Sequence, residues 1–135
     1  MRRGVSTITG RNEVNPLLLD ESKSIYLQIA DMIANDILSG AVEEEGQVPS
    51  TNQFAKVLQI NPATAAKGIN LLVDEGILYK KRGVGMFVRQ GAKRLVREKR
   101  RAQFAEVELP RILQEARALE IDKQQLANMI LNIQE

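Results

Sequence analysis

Cysteine, histidine and tryptophan are all missing from this chain. Without cysteine there is no disulfide, and without cysteine or histidine the commonest zinc ligands are gone. The lack of histidine also removes the usual general base near neutral pH. Aromatic residues make up 4% of the sequence against 44% hydrophobic overall, so an aliphatic, mainly helical core is expected. No apolar run approaches the roughly eighteen residues of a membrane span, and Leu17-Leu18-Leu19 is too short for the core of a signal peptide. The 135 residues leave room for one ordinary domain and an appendage. The expectation is a reduced, cytoplasmic protein with no cofactor, no metal and no membrane partner.

Acidic charge is nearly absent from one stretch. Residues 80–101 hold ten bases (Lys80, Lys81, Arg82, Arg89, Lys93, Arg94, Arg97, Lys99, Arg100 and Arg101) and one acid, Glu98. Residues 21–79 reverse the balance, with three bases and eight acids. Such separation suits a polyanionic partner, although a charge run is also what a solvated face looks like.

The most organised stretch is Pro49–Leu72, which reads as two short helices joined by a tight turn. Ser50 is placed to cap the first helix, with Gln53 three residues on as its capping-box partner. Phe54, Ala55 and Leu58 give that helix an inward face. Gln59-Ile60-Asn61 breaks the pattern; Asn61 suits an N-cap and Pro62 the first helical position, where no amide hydrogen is missed. Ala65, Ile69, Leu72 and Val73 then recur at helical spacing up to Gly76. The other side shows Ala63, Lys67 and Asn70, with Thr64 beside them. Small and polar groups clustered at a helix start enter a DNA groove without a clash, so this is a helix-turn-helix candidate.

The flanking segments fit around it. Residues 1–23 read as an N-terminal arm, either a frayed end or a minor-groove probe. Ser24 opens a helix with Ile25, Ile29, Met32, Ile33 and Ile37 on one face, Gln28, Asp31 and Asn35 elsewhere, and Gly40 as its stop. The Glu43-Glu44-Glu45-Gly46 turn would be repelled by phosphates and should face away from nucleic acid. Ile77-Leu78-Tyr79 and Met86-Phe87-Val88 read as strands joined by Lys80–Gly85. Gly83 and Gly85 permit positive φ at the tip. A basic, glycine-flanked hairpin directly after a recognition helix is a wing; an ordinary surface hairpin would leave its charge and position unexplained.

Beyond Gly91 a helix is expected over 92–106, interrupted at Pro110. Leu109, Ile112, Leu113, Ala116 and Leu119 form a stripe. Asp122 with Gln125 resembles a second capping box, opening a last helix with Leu126, Met129, Ile130 and Ile133 apolar. Two such helices cannot form an independent core. They either fold back or pair with a second copy, and pairing suits palindromic sites. The expected architecture is mainly α with a small β-hairpin (α+β): a winged helix-turn-helix over 24–90 and a helical dimerisation tail over 91–135.

Ile25-Tyr26-Leu27-Gln28-Ile29, Ile37-Leu38-Ser39-Gly40, Val48-Pro49-Ser50, Gly76-Ile77-Leu78 and Arg82-Gly83-Val84-Gly85-Met86-Phe87-Val88, in this order, resemble the GntR family of bacterial transcription regulators. The short tail and Ile60-Asn61-Pro62 are similar to its small YtrA-type subfamily. The resemblance implies a winged helix-turn-helix, a dimer formed through the tail, and repression of nearby genes, often transporter operons. Asn52 stands where the family usually has Arg, Ala65 where Val is usual and Lys67 where Arg is common. The recognition surface is therefore lean, shifting affinity toward the wing and residues 89–101.

The expected partner is double-stranded DNA, bound by a homodimer. Asn61, Pro62, Ala63, Thr64 and Lys67 enter the major groove, Thr64 on phosphate or a thymine methyl and Lys67 on phosphate or guanine. Ser50, Thr51 and Asn52 offer amides and side chains to phosphate. Lys80, Arg82, Gly83 and Gly85 form the wing contact. Dimerisation falls to Leu109, Ile112, Leu113, Ala116, Leu126, Ile130 and Ile133. A rival reading is a basic helical module that binds an acidic protein or a membrane surface. An enzyme is disfavoured, since Asp31, Asp36, Asp74 and Glu75 are scattered over expected surfaces and Arg82-Gly83-Val84-Gly85 lies between strands, unlike a dinucleotide fingerprint. A small-molecule effector has room near Tyr26 and Phe104, although both rings also suit a core.

Overall fold

The computed structural model describes residues 24–135; the expected arm over 1–23 lies outside them. Helix α1, Ile25–Ser39, closes at Gly40, whose φ of 85° lets its N–H reach the Ile37 carbonyl. Its inward face holds Ile29, Met32, Ile33 and Ile37 as expected, but Gln28 and Asp36 are buried as well. Both depart from the surface positions assigned by periodicity, because α1 is covered on more than one narrow stripe. The Asp36 carbonyl accepts from the Val42 N–H and the Ser39 hydroxyl, turning the chain back at the helix end.

Helix α2, Thr51–Leu58, carries the full capping box: Ser50 Oγ accepts from the Gln53 N–H, and Gln53 Oε1 accepts from the Ser50 N–H. It ends on Gln59, a non-glycine residue held left-handed at φ 54°, with its N–H on the Ala55 carbonyl. Helix α3, Pro62–Asp74, starts where Asn61 Oδ1 accepts the Ala63 N–H at 2.8 Å. Ala65, Ile69 and Leu72 are buried and Val73 is half-buried.

Gly68 is the fourth buried position of α3. A Cβ there would stand 2.6 Å from the Tyr26 carbonyl oxygen and 3.1 Å from Ile29 Cβ, so the glycine lets α1 and α3 cross with backbone nearly touching side chain. Gly68→Ala should therefore destabilise by about 1–2 kcal/mol, despite a helix preference for alanine of about 1 kcal/mol. A thermal melt checks this; a stabilised variant would refute the close crossing.

The hairpin is part of a three-stranded antiparallel sheet in the order β1-β3-β2. Strand β1, Gln47–Val48, pairs with β3, Gly85–Val88, which pairs with β2, Leu78–Lys81. Lys80 and Lys81 are thus strand residues opposite Met86 and Gly85, not part of the connecting loop, which shrinks to 82–84. Leu78 and Val88 close the core from the sheet side, and Phe54, Ile29, Ile33, Ile37, Ile69 and Val48 fill it.

Helix α4, Ala92–Gln103, buries Ala92 and Val96 in that same core. The chain divides into a first unit ending at Arg97 and a second unit, Glu98–Glu135. At the expected interruption, Pro110 has no N–H for the carbonyl four residues back. The preceding turn, Phe104–Glu108, widens so that the Leu109 N–H bonds to the Phe104 carbonyl, five residues back. Helix α5, Leu109–Ala118, follows, and α6, Lys123–Leu131, opens on the expected Asp122–Gln125 capping box. Ile133 lies beyond the end of α6. In the second unit only Ala116 is buried; Phe104, read as a core candidate, is 54% exposed.

Candidate nucleic-acid interface

The start of α3 is built to be presented. With Asn61 satisfying one amide and Pro62 lacking one, the first turn projects Asn61, Pro62 and Ala63 into solvent, with Thr64 half-buried behind them. Lys67 and Asn70 continue the exposed side. No charge stands on the first turn, so shape and hydrogen bonding dominate there. At the start of α2, Ser50 and Asn52 are exposed and Thr51 is half-buried. Ser50 Oγ is already engaged in its cap, which leaves Thr51 and Asn52 as the side chains available to an approaching anion.

Lys67 is not an isolated cation. Its Nζ sits 4.0 Å from the centroid of the Tyr26 ring, on the first turn of α1. Tyr26, Ala63, Lys67, Asn70 and Asp74 line one open groove between the two helices. As for the proposed effector position, Tyr26 belongs to the first unit and Phe104 to the second.

On the hairpin, Arg82, Gly83 and Val84 form the exposed tip, with Gly83 at φ 76° and Gly85 at φ 142°. Its φ is what requires glycine at 85; a Cβ there would also displace Gln47 Nε2, 2.6 Å away. That same Gln47 amide donates to the Val84 carbonyl at 3.1 Å, tying the tip to β1. The outer face holds a pair of rings with a cation at each end. Lys81 Nζ lies 4.4 Å from the Phe87 centroid, Phe87 is 6.1 Å from Tyr79, and the Arg89 guanidinium is 5.5 Å from Tyr79. Lys81 and Arg89 fall within the basic wing and 89–101 segments without being singled out there; their strand parity with Tyr79 and Phe87 is the signal the sequence carries.

The acidic turn does something charge repulsion did not anticipate. Glu44 Oε2 accepts the Gly91 N–H at 2.9 Å and the Lys93 N–H at 3.4 Å, capping α4 from a distant loop. Glu45 accepts the Tyr79 hydroxyl. This hydrogen bond, reinforced by partial burial and the Glu45 charge and opposed by Arg89, raises the Tyr79 phenol above its ordinary value. The phenol thus holds its proton, and the bond, to higher pH than an ordinary tyrosine. Glu45→Ala, which removes the acceptor and the charge together, should move the Tyr79 titration back down, as read by the pH dependence of tyrosinate absorbance; an unmoved titration would remove Glu45 as the cause.

Among the described residues, no helix is long and apolar enough to cross a membrane. The profile of bacterial regulatory proteins of the gntR family matches residues 25–88, which run from α1 to the end of the wing. A GntR-family protein from Bacteroides thetaiotaomicron, known by its crystal structure, is 37% identical, with a TM-score of 0.63 over 79% of this chain and 93% of that one. The transcriptional repressor YtrA of Bacillus subtilis is 32% identical over 72 residues, 53% of this chain and 55% of its own length. BusR of S. agalactiae, solved in complex with its busAB-promoter DNA, is 26% identical with a TM-score of 0.54, covering 80% of this chain and 54% of that one. The chain spans 16% to 59% of the lengths of the curated relatives it matches. With the crystal structure matched over nearly its whole length and the winged helix-turn-helix recovered in order, the chain belongs to the gntR family of bacterial regulatory proteins.

Proposed function

We propose that this protein is a sequence-specific DNA-binding repressor that grips a palindromic operator as a homodimer and regulates a nearby operon, of the transporter type. The observation that carries the reading is the capped, uncharged first turn of α3, set in the same unit as a hairpin tipped by Arg82 and flanked by Lys80 and Lys81. Asn61 through Thr64 read base edges in the major groove. Thr51, Asn52 and Lys80 hold phosphate, and Arg82 enters beside the minor groove where Gly83 and Gly85 let the backbone approach. BusR, a structural neighbour, was solved on its promoter DNA, which supports duplex DNA as the partner.

The dimer rests on the second unit. Leu109, Ile130 and Ile133 are exposed, Ile112, Leu113 and Leu126 are half-buried, and Ala116 is buried. Phe104, Val107, Leu119 and Leu131 add more than half-exposed apolar side chains. Exposed apolar side chains in such number are covered in working proteins, and a second copy does so with two-fold symmetry. Selection of bound duplex from a random pool tests both halves at once. Enrichment of an inverted repeat with half-sites about one or more helical turns apart is the expected outcome. Failure to enrich any duplex at low salt would sink the proposal.

A further inference from the structure

We infer that Tyr26 is a positioning residue that draws Lys67 off the base edges and commits it to the DNA backbone. The inference rests on the DNA-binding reading above and resolves one contact within it. In a helix-turn-helix the N-terminal residues of the reading helix contact the base edges. Lys67 stands one turn further in than Ala63, and its ammonium is held 4.0 Å from the centroid of a ring belonging to a different helix. That contact turns the charge sideways toward α1, into the groove that the two helices line together.

Three features make the placement a built one. Gly68, the residue after Lys67, has no Cβ; one there would collide with the Tyr26 carbonyl oxygen at 2.6 Å, so the close crossing that brings the ring beneath Lys67 depends on it. Tyr26 is half-buried, which fixes its ring more firmly than the lysine stem is fixed. The groove that both line also contains Asp74, four residues after Asn70, so the ring supplies an alternative to a carboxylate for the lysine charge. A lysine is a compact point charge on a flexible stem, and holding that stem in one arrangement lowers the entropy lost on meeting phosphate. The ring attraction at such a partly exposed site is weak enough to be shared with, or given up to, an oxyanion. Sequence discrimination then falls to the first turn, Asn61 through Thr64, while Lys67 adds affinity for any duplex.

The test uses the full chain on two probes, a duplex enriched from a random pool and a duplex of unrelated sequence. Parent protein binding neither would sink the DNA-binding reading itself, separately from this inference. Given binding, Lys67→Ala should weaken both complexes by the same factor and lower the salt slope by about one per lysine removed, leaving the enriched motif unchanged. Tyr26→Leu should weaken both several-fold, Tyr26→Phe should bind as the parent does, and Tyr26→Leu with Lys67→Ala should be no weaker than Lys67→Ala alone. A purely structural Tyr26 would instead give losses that multiply in the double variant, which overturns the inference. So does a changed base preference in the motif selected by Lys67→Ala. That selection needs no change at Tyr26, so it decides the matter even if Tyr26→Leu melts early.

Discussion

Raising salt from 50 to 200 mM should weaken duplex binding by about three to five orders of magnitude, if six to ten phosphates are neutralised per dimer. The expectation follows from how the surface is composed. The first turn of α3 carries no charge, Asn52 is neutral, and the cations sit around it: Lys67 on the Tyr26 ring, Lys80 and Lys81 in β2, and Arg82 at the tip. Backbone attraction therefore supplies most of the affinity, and that attraction is largely counterion release. Single changes should divide accordingly. Arg82→Ala should weaken binding to every sequence and flatten the salt dependence, whereas a change at Thr64 should alter which sequence is preferred. Gel shifts or anisotropy at four or five salt concentrations measure the slope. An association constant indifferent to salt would leave the basic hairpin without a role.

Phe54→Ala should remove about 3–5 kcal/mol of stability. Phe54 is wholly buried on α2, whereas Tyr26, Tyr79 and Phe87 are half-buried and Phe104 is exposed. Ile33 and Ile37 of α1 and Ile69 of α3 share the core with Phe54, so collapse around the vacated space is resisted by two other helices at once. Small domains have total stabilities of about 5–15 kcal/mol, so this one side chain accounts for much of the margin. Urea titration followed by circular dichroism gives the number. A loss below about 1 kcal/mol would show that the site closes up, contrary to close packing. Because α2 sets the position of α3, DNA binding should fail at the temperature where the variant melts and not before.

Features that depend on a few adjacent residues were legible in the chain. Ser50 with Gln53, Asn61 with Pro62, and Asp122 with Gln125 are complete local devices, and each cap forms as written. What escaped was non-local. A two-residue strand such as β1 has no periodicity to read, and Gln47–Val48 becomes a strand only when Phe87 and Met86 lie beside it. Lys80 and Lys81 looked like loop because of their charge, yet pairing with Met86 and Gly85 holds them extended. Glu44 and Glu45 were read as a surface to be turned from phosphate, when their task is to accept hydrogen bonds from residues 34 to 49 positions away. Gly68 fits a helix poorly by propensity, and its reason appears only once α1 crosses it. Of the site, α3 and the hairpin tip were apparent, while the rings under Lys67, Lys81 and Arg89 required the fold.

The turn between α2 and α3 hinges on Gln59, which occupies a left-handed conformation usually left to glycine or asparagine. A glycine would relieve a strain of roughly 1–2 kcal/mol, but it could also swing freely through either half of its φ range. The glutamine has one narrow well on that side, so the joint is stiff. On the proposed reading, the angle α3 presents to a groove is thus set before contact, and less ordering entropy is lost in finding it than a glycine joint would lose.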